Sequence, residues 1–180
     1  MSDRHFLDKR AVRRAFDRAA AGYDAAAVLQ QEVCRRGLER LDFIRHQPAR
    51  ILDAGCGTGN AWRGLAARYP GARVVALDLA SAMLRQARGS VPWHQRLLRR
   101  QPGLVCGDLE ALPLAADSVD LVWSNLALQW VNDLPRALAE MRRVLAPGGL
   151  CVFTTFGPDT LKELRAAQAA TARIATRQSE

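Results

Sequence analysis

The sequence predicts an α/β fold in which about five parallel strands carry helices on both faces. Three observations predict it: short apolar runs that close on a carboxylate or amide, amphipathic helical stretches alternating with those runs, and a glycine-rich turn joining the first run to the helix after it. The 180 residues, 49% hydrophobic, suffice for one domain with a sizeable core and exclude disorder of the whole chain. Residues 1–46 read as an N-terminal helical cap, 47–156 as the core and 157–180 as a terminal helix and tail.

From Arg10 to about Leu41 the pattern is helical, with Val12, Phe16 and Ala19 on one face of a first segment and Leu29, Val33 and Leu41 on that of a second; Gly22-Tyr23-Asp24 separates them. Ala49 to Ala54 is strand one, and Trp62, Leu65, Ala66 and Tyr69 give the next helix its apolar stripe before Pro70-Gly71 ends it. Arg73 to Asp78 is strand two, and Ser81 is placed to cap a helix burying Met83, Leu84 and Ala87. Gly89 to Pro102 is less regular and reads as a helix end, a short helix and a surface connection. Strand three is Gly103 to Cys106, closing at Gly107-Asp108, and strand four is Val119 to Asn125. The next helix starts near Asp133, carries Leu134, Leu138, Met141 and Leu145 at helical spacing, and stops at Pro147-Gly148-Gly149. Leu150 to Thr155 is strand five, and Asp159-Thr160 caps a last helix in which Thr160 and Glu163 have capping-box spacing.

The formal charge is +8, almost wholly from arginine, since Lys9 and Lys162 are the only lysines. The arginines form several clusters (Arg10, Arg13, Arg14 and Arg18; Arg35, Arg36 and Arg40; Arg96, Arg99 and Arg100), which fits either a solvated surface or an acidic partner, nucleic acid or protein. Cys34, Cys56, Cys106 and Cys151 lie far apart and suggest packing; neither they nor the scattered histidines have metal-site spacing, so no metal is expected. No stretch reaches the roughly 20 apolar residues that span a bilayer, and no signal-peptide run follows Met1, so the expectation is a soluble cytoplasmic protein with no membrane partner.

A strand ending in Ile51-Leu52-Asp53 and turning through Gly55, Gly57 and Gly59 into a helix sets backbone N–H groups beside a ligand. Dinucleotide folds use Gly-x-Gly-x-x-Gly to receive a pyrophosphate; here the spacing is Gly-x-Gly-x-Gly, preceded by an acid. Asp53 would repel a pyrophosphate but suits a cationic amino acid such as the methionine moiety of S-adenosylmethionine. Asp78 and Asp108 end strands two and three, where carboxylates can take hydrogen bonds from ribose hydroxyls and an adenine amine. Each acid alone could be an ordinary strand end; three at successive C-terminal ends are hard to attribute to chance.

From Ala49 to Thr155 the chain resembles the class I S-adenosylmethionine-dependent methyltransferases, a Rossmann-like fold with seven strands. The resemblance implies that Asp53, Gly55, Gly57 and Gly59 cradle the methionine end, Asp78 holds the ribose, Leu79 and Met83 border the adenine, and Asp108 with Leu109 reads it; packing alone would equally explain Met83. Ser124 to Trp130 occupies the place from which this fold presents residues to the methyl group. Asn125 is thus a candidate cofactor or substrate contact, and Gln129 and Trp130 are candidate substrate contacts, although Leu126, Leu128 and Trp130 could simply pack. No Asn-Pro-Pro-Tyr or Asp-Pro-Pro-Tyr sequence is present, which argues against exocyclic amines as acceptors.

Three segments, Phe16 to Val33, Ser124 to Trp130 and Phe153 to Leu164, are similar to the malonyl-[acyl-carrier-protein] O-methyltransferases of biotin synthesis. That resemblance implies transfer of a methyl group to the free carboxylate of a malonyl thioester, an acidic carrier protein as partner rather than nucleic acid, Tyr23 as a substrate-positioning residue, and an arginine to grip the carboxylate. An ionised carboxylate needs positioning and desolvation more than a base, so no catalytic residue is assigned. The family continues with two further strands and an insertion. The expectation is therefore a shortened product, or one completed by another polypeptide, with strand five as an exposed edge. A non-catalytic cofactor-binding remnant and a nicotinamide-dependent oxidoreductase are the alternatives.

Overall fold

The computed structural model describes residues 6–89, 91, 101–157, 160 and 162. Along it run α1 (Lys9–Ala19), α2 (Tyr23–Ala26), α3 (Val28–Arg40), β1 (Arg50–Ala54), α4 (Asn60–Arg68), β2 (Arg73–Asp78), α5 (Ser81–Gly89), β3 (Gly103–Cys106), β4 (Val119–Asn125), α6 (Leu134–Val144) and β5 (Leu145–Thr154). The strands form one sheet in the order β3-β2-β1-β4-β5, every neighbouring pair parallel. Parallel pairs require crossovers, which place helices on the sheet faces. The chain steps outward from β1 to β3, then returns to the other side of β1 at β4, so a cleft opens between β1 and β4 at their C-terminal ends.

Alternation along the strands divides the core into two layers. Ile51, Leu121 and Trp123 point to one face and pack with Cys34 of α3 and Trp62 and Leu65 of α4. Leu52, Ala54 and Val122 point to the other and meet Ala137, Met141 and Val144 of α6. Both faces of β1 and β4 are therefore dry, as their unbroken apolar runs require.

Strands two, three and four have the boundaries expected from sequence, and strand one begins one residue later, at Arg50. The helix after β4 is capped by Asp133, whose side chain accepts the Arg136 N–H at 3.0 Å, with Pro135 in the first turn. Its buried face is Ala137, Met141 and Val144, while Leu134 is exposed and Leu145 has left the helix. Leu145 instead pairs with Val119 as the first residue of β5. Pro147-Gly148-Gly149 thus lies inside a strand: the register shifts between Val119 and Leu121, and Gly148 adopts φ +77°. Four residues, 146–149, stand against Asp120, and a Cβ on Gly149 would lie 2.8 Å from the Ala146 carbonyl. Among the described residues nothing pairs with the outer edge of β5, and Phe153 there is exposed.

Two expectations about helix ends are revised. Ala19 is exposed and Ala20 is buried in its place, at the entry to a 3-10 turn over Ala20–Gly22. Ser81 begins α5 rather than capping it; the Ala82 N–H is met by Asp17 of α1 at 2.8 Å, a cap supplied from another helix. Most of the irregular stretch before Pro102, with its arginine cluster, and the helix expected after Asp159 lie outside the described residues. Among the described residues no helix is long and apolar enough to cross a membrane.

Helix α3 lies so close to the sheet that a Cβ on Gly37 would stand 2.7 Å from Trp123 Cη2, in a ring that is fully buried. Gly37→Ala should therefore destabilise the fold by about 1–3 kcal/mol in urea unfolding. Gly71→Ala, where a Cβ meets nothing within 4 Å, should leave the midpoint nearly unchanged.

Candidate functional site

The cleft, about 930 Å³ out to its open mouth, lies over the C-terminal ends of β1 to β4 under a roof formed by α1 and Tyr23. Its floor is the turn after β1. The Gly55 and Cys56 N–H groups both donate to the Leu77 carbonyl, at 2.8 and 2.9 Å, and the Gly57 N–H donates to Asp78 Oδ2 at 2.8 Å. Gly55, at φ +80°, is pressed against the loop after β4, where an added Cβ would stand 2.3 Å from the Ala127 Cβ. Gly57, at φ +55°, faces open space, its nearest neighbour being the Tyr23 ring at 3.9 Å. Gly59 does not line the cleft; it makes room for the Trp62 indole.

Asp53 is buried at 1% exposure, accepts the Trp62 backbone N–H, and leaves Oδ2 without a partner. Burial, reinforced by the charge of Asp78, pushes its carboxyl up to about 7, the Trp62 N–H opposing. Asp78 receives one N–H on each oxygen, Gly57 on Oδ2 and Ala80 on Oδ1, both at 2.8 Å. Burial raises its carboxyl as well, against those two hydrogen bonds. Its side chain thereby holds the turn in addition to facing the cleft, a duty its place at a strand end does not announce.

At the β3 end Leu109 is buried beside the cleft, and Asp108 is not free: Lys9 Nζ lies 2.7 and 2.9 Å from its two oxygens and 2.7 Å from Glu110 Oε1. Leu79 borders the cleft half-buried, and Met83 does two things, lining it while packing with Ala20 and Ala80. Tyr23 stands edge-on to Phe16, ring centroids 6.3 Å apart, and Phe16 in turn stands edge-on to Trp130 at 5.1 Å. Burial first, then Asp78 and Asp24, raise the Tyr23 hydroxyl above its ordinary value, so it stays neutral as a donor.

The segment after β4 is less available than its position suggests. Asn125 lines the cleft, but its amide donates to the Gln30 carbonyl at 3.0 Å and its oxygen accepts from Thr154 Oγ1 at 2.8 Å, clipping α3 to β5. Gln129 is not brought to the cleft lining: its amide folds back on the Leu126 carbonyl at 2.6 Å. Leu126 takes φ +48°, a strained conformation for a leucine and one found at binding sites. Sequence reasoning missed Lys9, Asp17, Glu110 and Asn132; only the spacing of Lys9, Val12 and Phe16 on one helical face could have drawn attention to the first. Among the described residues no group of His, Cys, Asp and Glu is placed to hold a metal ion.

The profile of the methyltransferase domain matches residues 52–153, so this chain belongs to the methyltransferase domain family. Within it the chain is similar to malonyl-[acyl-carrier protein] O-methyltransferases. It is 58% identical over 164 residues to that of Gallionella capsiferriformans, covering 89% of this chain and 56% of the relative. With that of Laribacter hongkongensis it is 58% identical over 170 residues, covering 93% and 57%. The chain thus spans about half the length of the curated relatives it matches. Among solved structures, a SAM-bound amino pentose methyltransferase of Micromonospora echinaspora superposes with a TM-score of 0.60 at 30% identity, over 76% of this chain and 55% of that one. An S-adenosylmethionine dependent methyltransferase from Mesorhizobium loti gives 0.51 at 39% identity, over 61% and 47%.

The raised Asp53 carboxyl makes a stability prediction. Between the unfolded value near 4 and about 7 the folded chain holds a proton that the unfolded chain has lost, so stability falls as pH rises through that window. Urea unfolding of the ligand-free protein from pH 4 to 8 should show this fall, and Asp53→Asn should flatten it; equal slopes in the two proteins would contradict the assignment.

Proposed function

We propose that this chain binds S-adenosylmethionine in the β1–β4 cleft and carries out methyl transfer to the free carboxylate of a malonyl thioester borne on an acidic acyl carrier protein. The observation that carries the reading is the pairing of a buried, half-unpartnered Asp53 with a glycine turn whose Gly57 leaves the cleft open above it. Its Oδ2 is an acceptor awaiting a cationic donor, and a ligand ammonium would favour the ionised form of the carboxyl. Asp78 retains lone pairs toward the cleft for a diol, and Leu79, Met83 and Leu109 offer apolar surface to a flat ring. The cofactor, when bound, supplies an electrophilic methyl group on a sulfonium. Over it Phe16, Tyr23 and Trp130 would exclude water, which strengthens the attraction between a carboxylate and a positive centre. A malonyl carboxylate is ionised at neutral pH, which accords with a lining that holds no histidine among the described residues. In this reading the neutral Tyr23 hydroxyl donates to it, with Asn125 and Trp130 bounding its space.

The similarity to malonyl-[acyl-carrier protein] O-methyltransferases supports the choice of acceptor, and the net charge of +8 suits an acidic partner. Calorimetric titration with S-adenosylhomocysteine tests the cofactor, and transfer of labelled methyl from S-adenosylmethionine to malonyl-carrier protein tests the reaction. Binding without transfer would mark this chain as a cofactor-binding portion only. Asp78→Asn should weaken S-adenosylhomocysteine by about 1–3 kcal/mol, read by the same titration. Tyr23→Phe should lower the transfer rate while leaving cofactor affinity within about twofold, because an uncharged donor to the acceptor contributes to positioning rather than to cofactor binding.

A further inference from the structure

Helix α1 covers the cleft, yet it buries none of its own side chains fully. Lys9, Val12 and Phe16, spaced three and four apart, form the face it turns to the cleft. Phe16 packs against Ala20, Ala80 and Met83, and polar ties hold the roof at its edges. Near the start of α1, the Leu7 N–H donates to Asn132 Oδ1 at 2.7 Å and the Asn132 amide returns a bond to the Leu7 carbonyl at 3.0 Å. Toward its other end, Asp17 accepts from Ala82. Between them Lys9 bridges Asp108 and Glu110, two carboxylates of the loop after β3, from within 2.7 Å of each. Glu110 is itself braced by the Asn132 N–H.

The bridge has an unusual consequence. Asp108 and Glu110 are both partly shielded, with 33% and 14% of their side chains exposed, and share one cation. Without it two like charges would lie unneutralised on the loop, and the attraction that ties the loop to the roof would be lost. We propose that Lys9 is a positioning residue that latches α1 over the β3 end of the cleft, so that release of a nucleoside ligand waits on the breaking of its ion pairs with Asp108 and Glu110. The inference rests on the nucleoside-cofactor reading above, and it makes Asp108 a residue with two claimants, the ammonium of Lys9 and the ligand.

The test uses the full chain and its Lys9→Met variant. Dissociation of S-adenosylhomocysteine, followed by stopped-flow fluorescence, should be roughly two- to fivefold faster in the variant, as loss of a partly shielded ion pair implies. The wild-type rate should rise between ~0.05 and ~0.5 M salt while the variant's should not. Glu110→Gln should lie between the two, and Lys9→Arg should restore most of the slow release. In the ligand-free proteins, amide hydrogen exchange across residues 9–19 should be faster in Lys9→Met. A variant that melts lower but releases ligand at the wild-type rate with unchanged salt dependence would overturn the latch. Should the wild-type chain bind no S-adenosylhomocysteine, the cofactor reading falls, and the exchange measurement decides the latch alone: equal exchange of α1 in both proteins overturns it.

Discussion

The side chain of Asp78 is the hinge on which the site is built. One oxygen holds the Gly57 N–H and the other the Ala80 N–H, so a single carboxylate at the end of β2 fixes both the turn that leaves β1 and the approach to α5. The turn in turn presses Gly55 onto Ala127, which sets the loop after β4 at its distance from the sheet. Burying that charge costs free energy, as its raised carboxyl records, and the two backbone donors offset part of the cost. An acid that a strand-end reading assigns to a ligand is thus first a structural clamp whose remaining lone pairs face the cleft.

The sheet was readable from sequence because these strands are short apolar runs stopped by a polar residue: Asp78 for β2, Gly107-Asp108 after β3, Asn125 for β4. Where local signals conflict with pairing, the sequence misleads. Pro147-Gly148-Gly149 reads as a stop, but a strand beside β4 can absorb those residues as an irregularity and begin at Leu145, which gains a buried partner in Val119. The buried stripe of α6 likewise centres on Ala137, Met141 and Val144, with Leu138 packed beside it, while Leu134 faces out.

The floor of the site was legible for the same reason: glycines and acids at strand ends declare close backbone approach and charge. The roof was not. Lys9 and Asp108 are 99 residues apart, and no local spacing announces that they meet. Gln129 has the chemistry of a contact residue, but its amide is taken by the carbonyl of Leu126 three residues earlier, a competition decided by the strained backbone there. Asn125 was found by position, and its two hydrogen bonds give it a second purpose in joining α3 to β5.

The contact between Phe16 and Trp130 also gives the molecule an optical property. Trp62 and Trp123 are buried in the core, whereas Trp130 is 43% exposed and touches the roof through an aromatic edge. An indole half in water and half against a movable helix changes its emission when either side changes. Trp130 is therefore a fluorescent reporter at the mouth of the cleft, and among the described residues the two buried indoles report on the integrity of the fold.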